Sequence, residues 1–267
     1  MGAGPEHLLS NGLGERLHSR GHEVTAVTVD QGSSPPAEIA TAFALMSRVA
    51  DEVRSARTRG AFPIVFSGNC NTACGTLAGL TPHERAVFWF DAHGDANTPE
   101  TTTTGFLDGT GLAAAMGWCW NGMTRQIPGF APVDERSVVL LGARDLDADE
   151  AALLDRASVR RVSCHEITNT FERSLPRMMA QAVGYLHCDL DVLDPAEGQA
   201  NPFPTPGGLT VESLERAIGR IGATIPIAAA AVTAYAPEYD ADGRICRAAL
   251  RVVDAIVAAA GPTSREP

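Results

Sequence analysis

Ionisable residues follow directly after two apolar runs of the chain. The run AVFWF leads into Asp91, His93 and Asp95, and the run GYLHC leads into Asp189 and Asp191. Residues two apart at a strand end point to the same side, so each segment projects its polar side chains together. Four converging carboxylates beside one imidazole repel one another unless a cation lies between them, and oxygen-rich donors suit a hard divalent ion such as Mn²⁺. Because five ligands exceed what one tetrahedral ion needs, the pattern predicts a site for two metal ions.

The elements that position these residues are those of an α/β protein. Several apolar runs, such as SVVLLG and IAAAAVT, are continuous rather than alternating, which indicates strands buried on both faces of a parallel sheet. Strand-like and helix-like segments alternate, so we expect a three-layer α-β-α sandwich with a mainly parallel sheet, in a single domain over residues 1–267. In open sheets of this kind the site lies at the carboxyl ends of the strands, where the ionisable residues fall.

Apolar periodicity and the turn residues between the runs place the individual elements. The predicted strands are Glu23–Val29, Phe62–Ser67, Ala86–Asp91, Ser137–Gly142, Arg160–Ser163, Gly184–Asp189 and Ile227–Thr233. The predicted helices are His7–His18, Ile39–Thr58, Thr72–Gly79, Gly109–Met116, Ala148–Asp155, Phe171–Gln181, Val211–Gly222 and Gly243–Ala260.

Composition and charge exclude several classes of function. The net charge of −11 argues against nucleic acid and anionic membranes as partners, although a carboxylate-lined pocket would attract a small cationic substrate. No apolar stretch has the length of a transmembrane helix, and the N-terminus lacks the layout of a signal peptide. Six scattered cysteines without a CxxC pair indicate reduced thiols in a cytoplasmic protein.

Three blocks of the sequence resemble signatures of the arginase (ureohydrolase) family. DAHGDANTPETTTTG resembles DAHxDxNTPxTxxSG, HCDLDVLDPAEGQANPFPTPGGLT resembles DxDxLDP followed by a proline-containing loop and GGLT, and GARDLDADE resembles GxRDxDxxE. The order and spacing agree from GAGPEHLLSNGL to the last predicted helix. The resemblance implies an arginase-like sandwich and a homo-oligomer. It also implies a strand before the GAGP segment, so we expect the sheet to lack this first strand.

The resemblance also implies the chemistry of the centre. The metal ligands would be Asp91, His93, Asp95, Asp189 and Asp191. They would hold two Mn²⁺ ions, with Zn²⁺ or Fe²⁺ as alternatives, and a hydroxide bridging the ions would attack the carbon of a guanidinium or related C=N group. Asp95 would accept a hydrogen bond from this hydroxide and then help to protonate the leaving nitrogen.

A cysteine replaces the sixth ligand of the family. SGNCNTACG stands where the family has GGDHS, so Cys70 occupies the position of its histidine ligand. A thiolate can bind a metal, and a helix N-terminus lowers the pKa of a thiol, which favours Cys70 as a ligand. A similar replacement occurs in the branch that resembles Nω-hydroxyarginine hydrolases. The alternative is an uncharged Cys70 beside an ion that binds weakly or not at all.

Two further positions of the family site are altered. Asp108 stands where the family has a proton-shuttling histidine, and an aspartate is a poor shuttle at neutral pH unless its pKa is raised. It is either the shuttle or a solvated loop residue. Ala234 stands where the family has a glutamate that binds the guanidinium, which argues against free arginine as the substrate. Glu238 is a candidate replacement for that carboxylate, with a solvated loop position as the alternative.

Residues that bind the amino-acid head of the substrate in the family are retained. Asn97, Thr102 and Thr104 match the positions that bind an α-carboxylate, and Asp147 matches the position that binds an α-amino group. Alternatively, these residues shape polar turns. Their retention favours an amino-acid-like small molecule whose tail differs from that of arginine.

Two functional hypotheses follow. The first is a metal-dependent hydrolase of linear C–N bonds that acts on a modified guanidino or imino amino acid, such as Nω-hydroxyarginine. The second is a catalytically impaired member of the family that binds a metal or an amino acid as a regulator. A nucleotide-binding domain is disfavoured because GAGPEH and GNCNTACG fit neither GxGxxG nor GxxxxGK[ST].

Overall fold

One parallel sheet forms the centre of the computed structural model, which describes residues 1–30, 37–80, 85–171 and 183–261. The strand order is β1-β6-β5-β2-β3-β4, and each neighbouring pair is parallel. The strands are β1 (Ile64–Ser67), β2 (Arg85–Phe90), β3 (Val138–Leu141), β4 (Arg160–Val162), β5 (Val183–Asp189) and β6 (Ile227–Thr233). The helices are α1 (Gly4–Ser10), α2 (Leu13–Ser19), α3 (Glu38–Thr58), α4 (Ala73–Gly79), α5 (Gly111–Ala115), α6 (Asn121–Thr124), α7 (Ala148–Arg156), α8 (Cys164–Asn169), α9 (Val211–Gly222) and α10 (Arg244–Ala260).

Two hydrophobic clusters cover the two faces of the sheet. Successive side chains of a strand point to opposite faces, so on β2 Phe88 and Phe90 join the cluster formed with α1, α2, α9 and α10. Trp89 joins the opposite cluster, formed with α3, α4 and α5. Every residue of β2 and β6 is buried, which explains their continuous apolar runs. The predicted three-layer sandwich is confirmed.

Helix α9 shows how local sequence and packing agree. The Thr210 hydroxyl accepts the backbone N–H of Ser213 at 3.2 Å and thereby caps the first turn. Leu214, Ile218 and Ile221 recur at helical spacing and are fully buried against the sheet. The cap and the apolar stripe together fix where the helix begins and which face it buries.

Six of the predicted strands are confirmed, and the strand at Glu23–Val29 is wrong. Residues 22–30 pair with no strand of the described chain, and Val27 is 55% exposed. The reason is that a strand needs a neighbour for its hydrogen bonds, and on its outer side β1 has no partner strand among the described residues. The predicted helix His7–His18 is two helices, because Gly12 adopts a left-handed φ of 87° between them. The helix predicted at Phe171–Gln181 lies, apart from its first residue, outside the described residues.

The parallel register brings the polar strand ends to one edge of the sheet. Phe90 lies opposite Cys188, Cys188 opposite Val232, and Thr233 opposite Ser67. The segments that follow these residues therefore emerge side by side above the carboxyl ends of β1, β6, β5 and β2. Within the described chain, no helix combines the length and hydropathy needed to cross a membrane.

Candidate metal centre and substrate cavity

A cavity of about 270 Å³ opens at this edge of the sheet. All of the predicted site residues except Glu238 line it, namely Cys70, Asp91, His93, Asp95, Asn97, Thr102, Thr104, Asp108, Asp147, Asp189 and Asp191. The carboxylates of Asp91, Asp95, Asp189 and Asp191 are all buried. The structure thus brings together two sequence segments that lie almost one hundred residues apart.

Backbone and side-chain donors aim the carboxylates of Asp91 and Asp191. Asp91 accepts the indole N–H of Trp89 at 3.1 Å and the backbone N–H of His93 at 2.8 Å. Asp191 accepts the backbone N–H of Ala92 at 3.1 Å and the side-chain amide of Asn201 at 3.0 Å. The bond from Ala92 to Asp191 ties the ends of β2 and β5 together, and both carboxylates line the cavity.

The His93 ring lies between two of these carboxylates. Its Nδ1 is 3.4 Å from Asp91 Oδ1 and 3.3 Å from Asp191 Oδ2. Burial lowers the pKa of His93, but the hydrogen bonds and charges of Asp191 and Asp91 outweigh burial and raise it to about 12. The proton on His93 therefore supplies positive charge at the point where a cation would bind.

Asp95 is held in a strained conformation. Its φ is 48°, which non-glycine residues rarely adopt, and its carbonyl accepts the backbone N–H groups of Leu112 at 2.8 Å and Ala113 at 3.0 Å. Its Oδ2 is buried and has no hydrogen-bond partner among the described residues. Burial and the charges of Asp91 and Asp108 raise the pKa of Asp95 well above its usual range. An orphaned carboxylate oxygen of this kind is costly unless it binds a cation or a proton donor.

Cys70 begins the 3₁₀ turn Cys70–Thr72 and is buried beside Asp189. Its Sγ lies 3.0 Å from Asp189 Oδ2 and 3.1 Å from the Thr233 hydroxyl. The expected lowering of the thiol pKa by a helix N-terminus is wrong, because burial and the charge of Asp189 raise the pKa of Cys70 well above its usual range. Ligation by Cys70 stays a prediction, since a bound cation would reverse this balance.

These donors fit divalent ions. One ligand atom from each of Asp91, His93 and Asp191 lies within 4.8 Å of the other two. The buried, mutually repelling carboxylates and the unpartnered oxygen of Asp95 both point to bound positive charge. We conclude that the residues present suit a metal centre.

Asp108 is neither solvated nor an ordinary loop residue. It is buried, and its Oδ1 accepts the backbone N–H of Asn71 at 2.9 Å. Burial raises the pKa of Asp108 to about 6, although hydrogen bonds from Asn71 and Asn69 oppose the rise. The expected obstacle to a shuttle role, a pKa far below neutrality, is thereby reduced.

Of the four residues predicted to bind an amino-acid head, Asn97 and Asp147 contact each other, and Thr102 and Thr104 lie in the adjoining loop. The Asn97 side chain donates to Asp147 Oδ2 at 3.1 Å and accepts from the Thr101 hydroxyl at 2.8 Å. Thr102 and Thr104 line the cavity while their hydroxyls accept backbone N–H groups of the same loop, at 3.1 Å and 3.2 Å. This geometry allows both the binding role and the turn-shaping role, so the binding role stays a prediction.

Glu238 does not reach the cavity. It is exposed on the 3₁₀ turn Pro237–Tyr239, and it is not a lining residue. The chain turns away because the Tyr235 hydroxyl donates to buried Asp240 at 2.9 Å, which in turn accepts the N–H groups that begin α10. Ala234 itself lines the cavity, is 3% exposed and has a φ of 59°.

Sequence reasoning missed several residues that support the site. Glu150 is buried and accepts the backbone N–H of Ala96 at 2.8 Å, so it anchors the loop that carries Asp95. The Arg144 guanidinium donates to the carbonyls of Asp191 at 3.0 Å and Thr205 at 2.7 Å. Glu150 and Arg144 belong to the block GARDLDADE, so the motif pointed to their importance without indicating what they contact.

Two exposed aromatic residues at the cavity were also missed. Phe106 and Phe203 are 42% and 47% exposed, and their ring centroids lie 5.9 Å apart. Phe203 meets the His93 ring edge-on at a centroid distance of 6.3 Å. An apolar residue in a proline-rich loop carries no sequence signal of its own, and only the fold brings Phe203 beside His93.

Comparison with known proteins agrees with this geometry. The model of the arginase family matches residues 2–258. The arginase of Bacillus caldovelox is 35% identical to this chain over 208 residues, which cover 74% of this chain and 66% of that protein. The arginase of Brevibacillus brevis is also 35% identical, over 175 residues, which cover 61% of this chain and 57% of that protein. The chain thus spans less than two thirds of the length of these two relatives. The crystal structure of arginase from Bacillus cereus matches with a TM-score of 0.86 and 25% identity, covering 95% of this chain and 91% of that chain. The chain belongs to the arginase family.

Proposed function

We propose that this protein is a metal-dependent hydrolase of linear C–N bonds whose substrate is an amino acid with a modified guanidino or imino tail, such as Nω-hydroxyarginine. One observation carries the proposal. The buried carboxylate cluster shares its cavity with the Asn97–Asp147 pair, whereas Ala234 stands where a guanidinium-binding carboxylate is expected. This arrangement supports a reacting centre and a site for the substrate head in one cavity, together with an altered site for the tail.

The metal centre would be formed by the six predicted ligands, Cys70, Asp91, His93, Asp95, Asp189 and Asp191. Two divalent ions, with Mn²⁺ as the first candidate, would supply a water molecule that is acidic enough to act as a nucleophile near neutral pH. Trp89, Ala92 and Asn201 hold the carboxylates of Asp91 and Asp191 in place before any substrate binds. Such preorganisation avoids a reorganisation cost during the reaction.

Asp95 and Asp108 carry out the proton transfers of the reaction. The unpartnered Oδ2 of Asp95 accepts the proton of the attacking nucleophile and passes it to the leaving nitrogen. Asp108, whose pKa burial raises to about 6, exchanges protons with solvent near neutral pH. A modified tail with a better leaving group makes a smaller demand on this exchange than arginine does.

Substrate selection follows from the cavity wall. Asp147 would bind an α-ammonium group, and Asn97 with the loop hydroxyls would bind an α-carboxylate. Ala234 offers a methyl group to the substrate tail, so nothing at this position compensates the full charge of a guanidinium. An oxygenated or uncharged tail is therefore preferred over that of arginine.

The test is a substrate panel with metal-stripped protein reloaded with Mn²⁺. Nω-hydroxyarginine, imino amino acids, arginine and decarboxylated amines are compared by release of the amine product, which is an amino acid for the first three and a diamine for the last, with Asp95→Asn as the matched variant. We expect turnover of a modified amino acid that chelation abolishes, Mn²⁺ restores and Asp95→Asn nearly eliminates. If the loaded protein turns over no guanidino, imino or amide amino acid, the proposal fails. Binding without turnover would instead support the regulator hypothesis.

A further inference from the structure

A second histidine, His187, lies beside the proposed metal ligands. His187 precedes Asp189 by two positions on β5, so both side chains project from the same face of the sheet. His187 is fully buried, and its ring stacks on that of Trp89 with a centroid distance of 3.7 Å and an interplanar angle of 12°. The stacking fixes the plane of the ring. In the sequence, His187 lies within the apolar run GYLHC.

Hydrogen bonds orient the two ring nitrogens of His187. Nδ1 lies 3.0 Å from the Tyr185 hydroxyl, and Nε2 lies 3.3 Å from the Thr233 hydroxyl. A histidine that binds a metal typically donates its other ring N–H to an oxygen, which fixes its tautomer. Tyr185 is placed to accept from Nδ1, and in that tautomer Nε2 keeps its lone pair. Nε2 faces Thr233, whose hydroxyl also contacts Cys70 Sγ at 3.1 Å.

The donor atoms of Cys70, Asp91 and His187 lie close to one another. One ligand atom from each of Cys70, Asp91 and His187 lies within 4.8 Å of the other two. Bonds of about 2.1 Å to nitrogen and 2.3 Å to sulfur place two donors of one ion at most about 4.4 Å apart, so a bound ion would draw these side chains slightly together. Thr233 stands between Nε2 and Cys70, and it has an alternative acceptor in the Cys188 carbonyl at 3.5 Å. Rotation of one hydroxyl would therefore free Nε2.

We propose that His187 is a ligand of the ion bound by Cys70 and Asp91. The inference rests on the proposed metal-dependent function and adds a donor to it. The centre then has two unlike sites that share Asp91. One has thiolate, imidazole and carboxylate donors and favours a borderline ion such as Zn²⁺, Fe²⁺ or Co²⁺. The other, with Asp91, Asp191 and His93, is richer in oxygen and suits Mn²⁺.

Cobalt substitution tests this assignment without an activity assay. Metal-stripped protein is loaded with Co²⁺, and the exchangeable ring N–H protons of metal-bound imidazoles are observed by their hyperfine shifts in ¹H NMR. We expect two shifted signals, of which His93→Asn removes one and His187→Asn removes the other. His165→Asn, which changes an exposed histidine on α8, should leave both signals. A thiolate-to-Co²⁺ charge-transfer band should disappear in Cys70→Ser.

A single shifted imidazole signal that survives His187→Asn and disappears in His93→Asn would overturn the proposal. Should His187→Asn fail to fold, X-ray absorption of the wild-type protein loaded with Zn²⁺ reports sulfur neighbours and, from the outer ring atoms, the number of imidazoles; we expect an average of one imidazole per ion, and one imidazole for two ions would overturn the proposal. A merely structural His187 could weaken Zn²⁺ binding but would give no shifted signal. Two imidazole signals in a protein without turnover would contradict the proposed function and leave this inference standing. Turnover with only one imidazole signal would contradict this inference and leave the proposed function standing.

Discussion

The carboxylate of Asp108 accepts the backbone N–H of Asn71 at 2.9 Å, at the start of the turn that carries Cys70. Asp108 is thus both a wall of the cavity and a cap for the 3₁₀ turn Cys70–Thr72. The contact couples the residue in the shuttle position to the residue in the sixth ligand position. Two of the three positions that depart from the family pattern are therefore linked through one intervening residue, Asn71.

Burial of Asp108 predicts an unusual pH dependence of stability for the metal-stripped protein. Its pKa of about 6 exceeds the model-peptide value of 3.8, so the folded state binds its proton more tightly than the unfolded state does. The resulting stability is fully present below about pH 4 and is lost as the pH rises through about 6, by at most about 3 kcal/mol. The Tm should consequently be higher at pH 5 than at pH 7.5 when chelator is present.

The matched variant is Asp108→Asn, which keeps an oxygen acceptor for Asn71 and removes the titration. We expect its Tm to fall less between pH 5 and pH 7.5 than that of the wild-type protein. The raised pKa values of Asp95 and Asp189 leave part of the dependence in place. An identical pH profile in wild type and Asp108→Asn would contradict the account of Asp108.

Metal binding should stabilise the protein through the carboxylate cluster. At a free ion concentration one hundred times the Kd, binding to the folded state alone adds about 2.7 kcal/mol. Differential scanning fluorimetry with Mn²⁺ or Zn²⁺ should therefore show a Tm several degrees higher than with chelator. Asp189→Asn should lose most of this shift. Because the substitution removes a buried charge, it should not lower the Tm of the metal-free form. Asp134→Asn, which changes an exposed partner of Arg136, should keep the full shift. Equal shifts in both variants would mean that the ions bind elsewhere.

The parts of the site that could be predicted from sequence are local. Asp91, His93 and Asp95 follow one apolar run, and their convergence with Asp189 and Asp191 follows from the rule that parallel strands end at one edge. The six confirmed strands were predictable for the same reason, because each is a short run whose burial pattern is visible in its own residues.

The parts that could not be predicted depend on distant contacts. Glu150 anchors a backbone N–H that lies 54 positions earlier in the chain, at Ala96. Residues Glu23–Val29 have the composition of a strand, but a strand also requires a neighbour, which no local pattern reveals. The surroundings of His187 include Thr233 and Trp89, which only the sheet brings beside it.

Restoring a carboxylate at position 234 should restore recognition of a guanidinium. Ala234 lines the cavity and already carries a Cβ at a φ of 59°, so Ala234→Glu adds no further backbone strain. A charge-assisted hydrogen bond of about 1.5 kcal/mol corresponds to about a tenfold gain in kcat/KM for arginine. Steady-state kinetics of Ala234→Glu and of the uncharged control Ala234→Gln separate charge from shape. Equal arginine turnover in both variants would show that position 234 does not contact the substrate tail.

Asp147 provides the sharpest test of the amino-acid head site. Asp147→Asn removes the charge that would bind an α-ammonium group but keeps a good N-cap residue for α7. For an α-amino-acid substrate we expect the KM to rise about tenfold with little change in kcat. The reason is that the lost charged hydrogen bond, of about 1.5 kcal/mol, is made equally in the ground state and the transition state. The des-amino analogue of the same substrate, which lacks the ammonium group, should be turned over equally by both proteins. Asp149→Asn, which changes an exposed residue two positions further along the chain, is the control and should match wild type. If Asp147→Asn weakened the substrate and its des-amino analogue alike, the loss would reflect the shape of the loop, and Asp147 would have no part in recognising the substrate head.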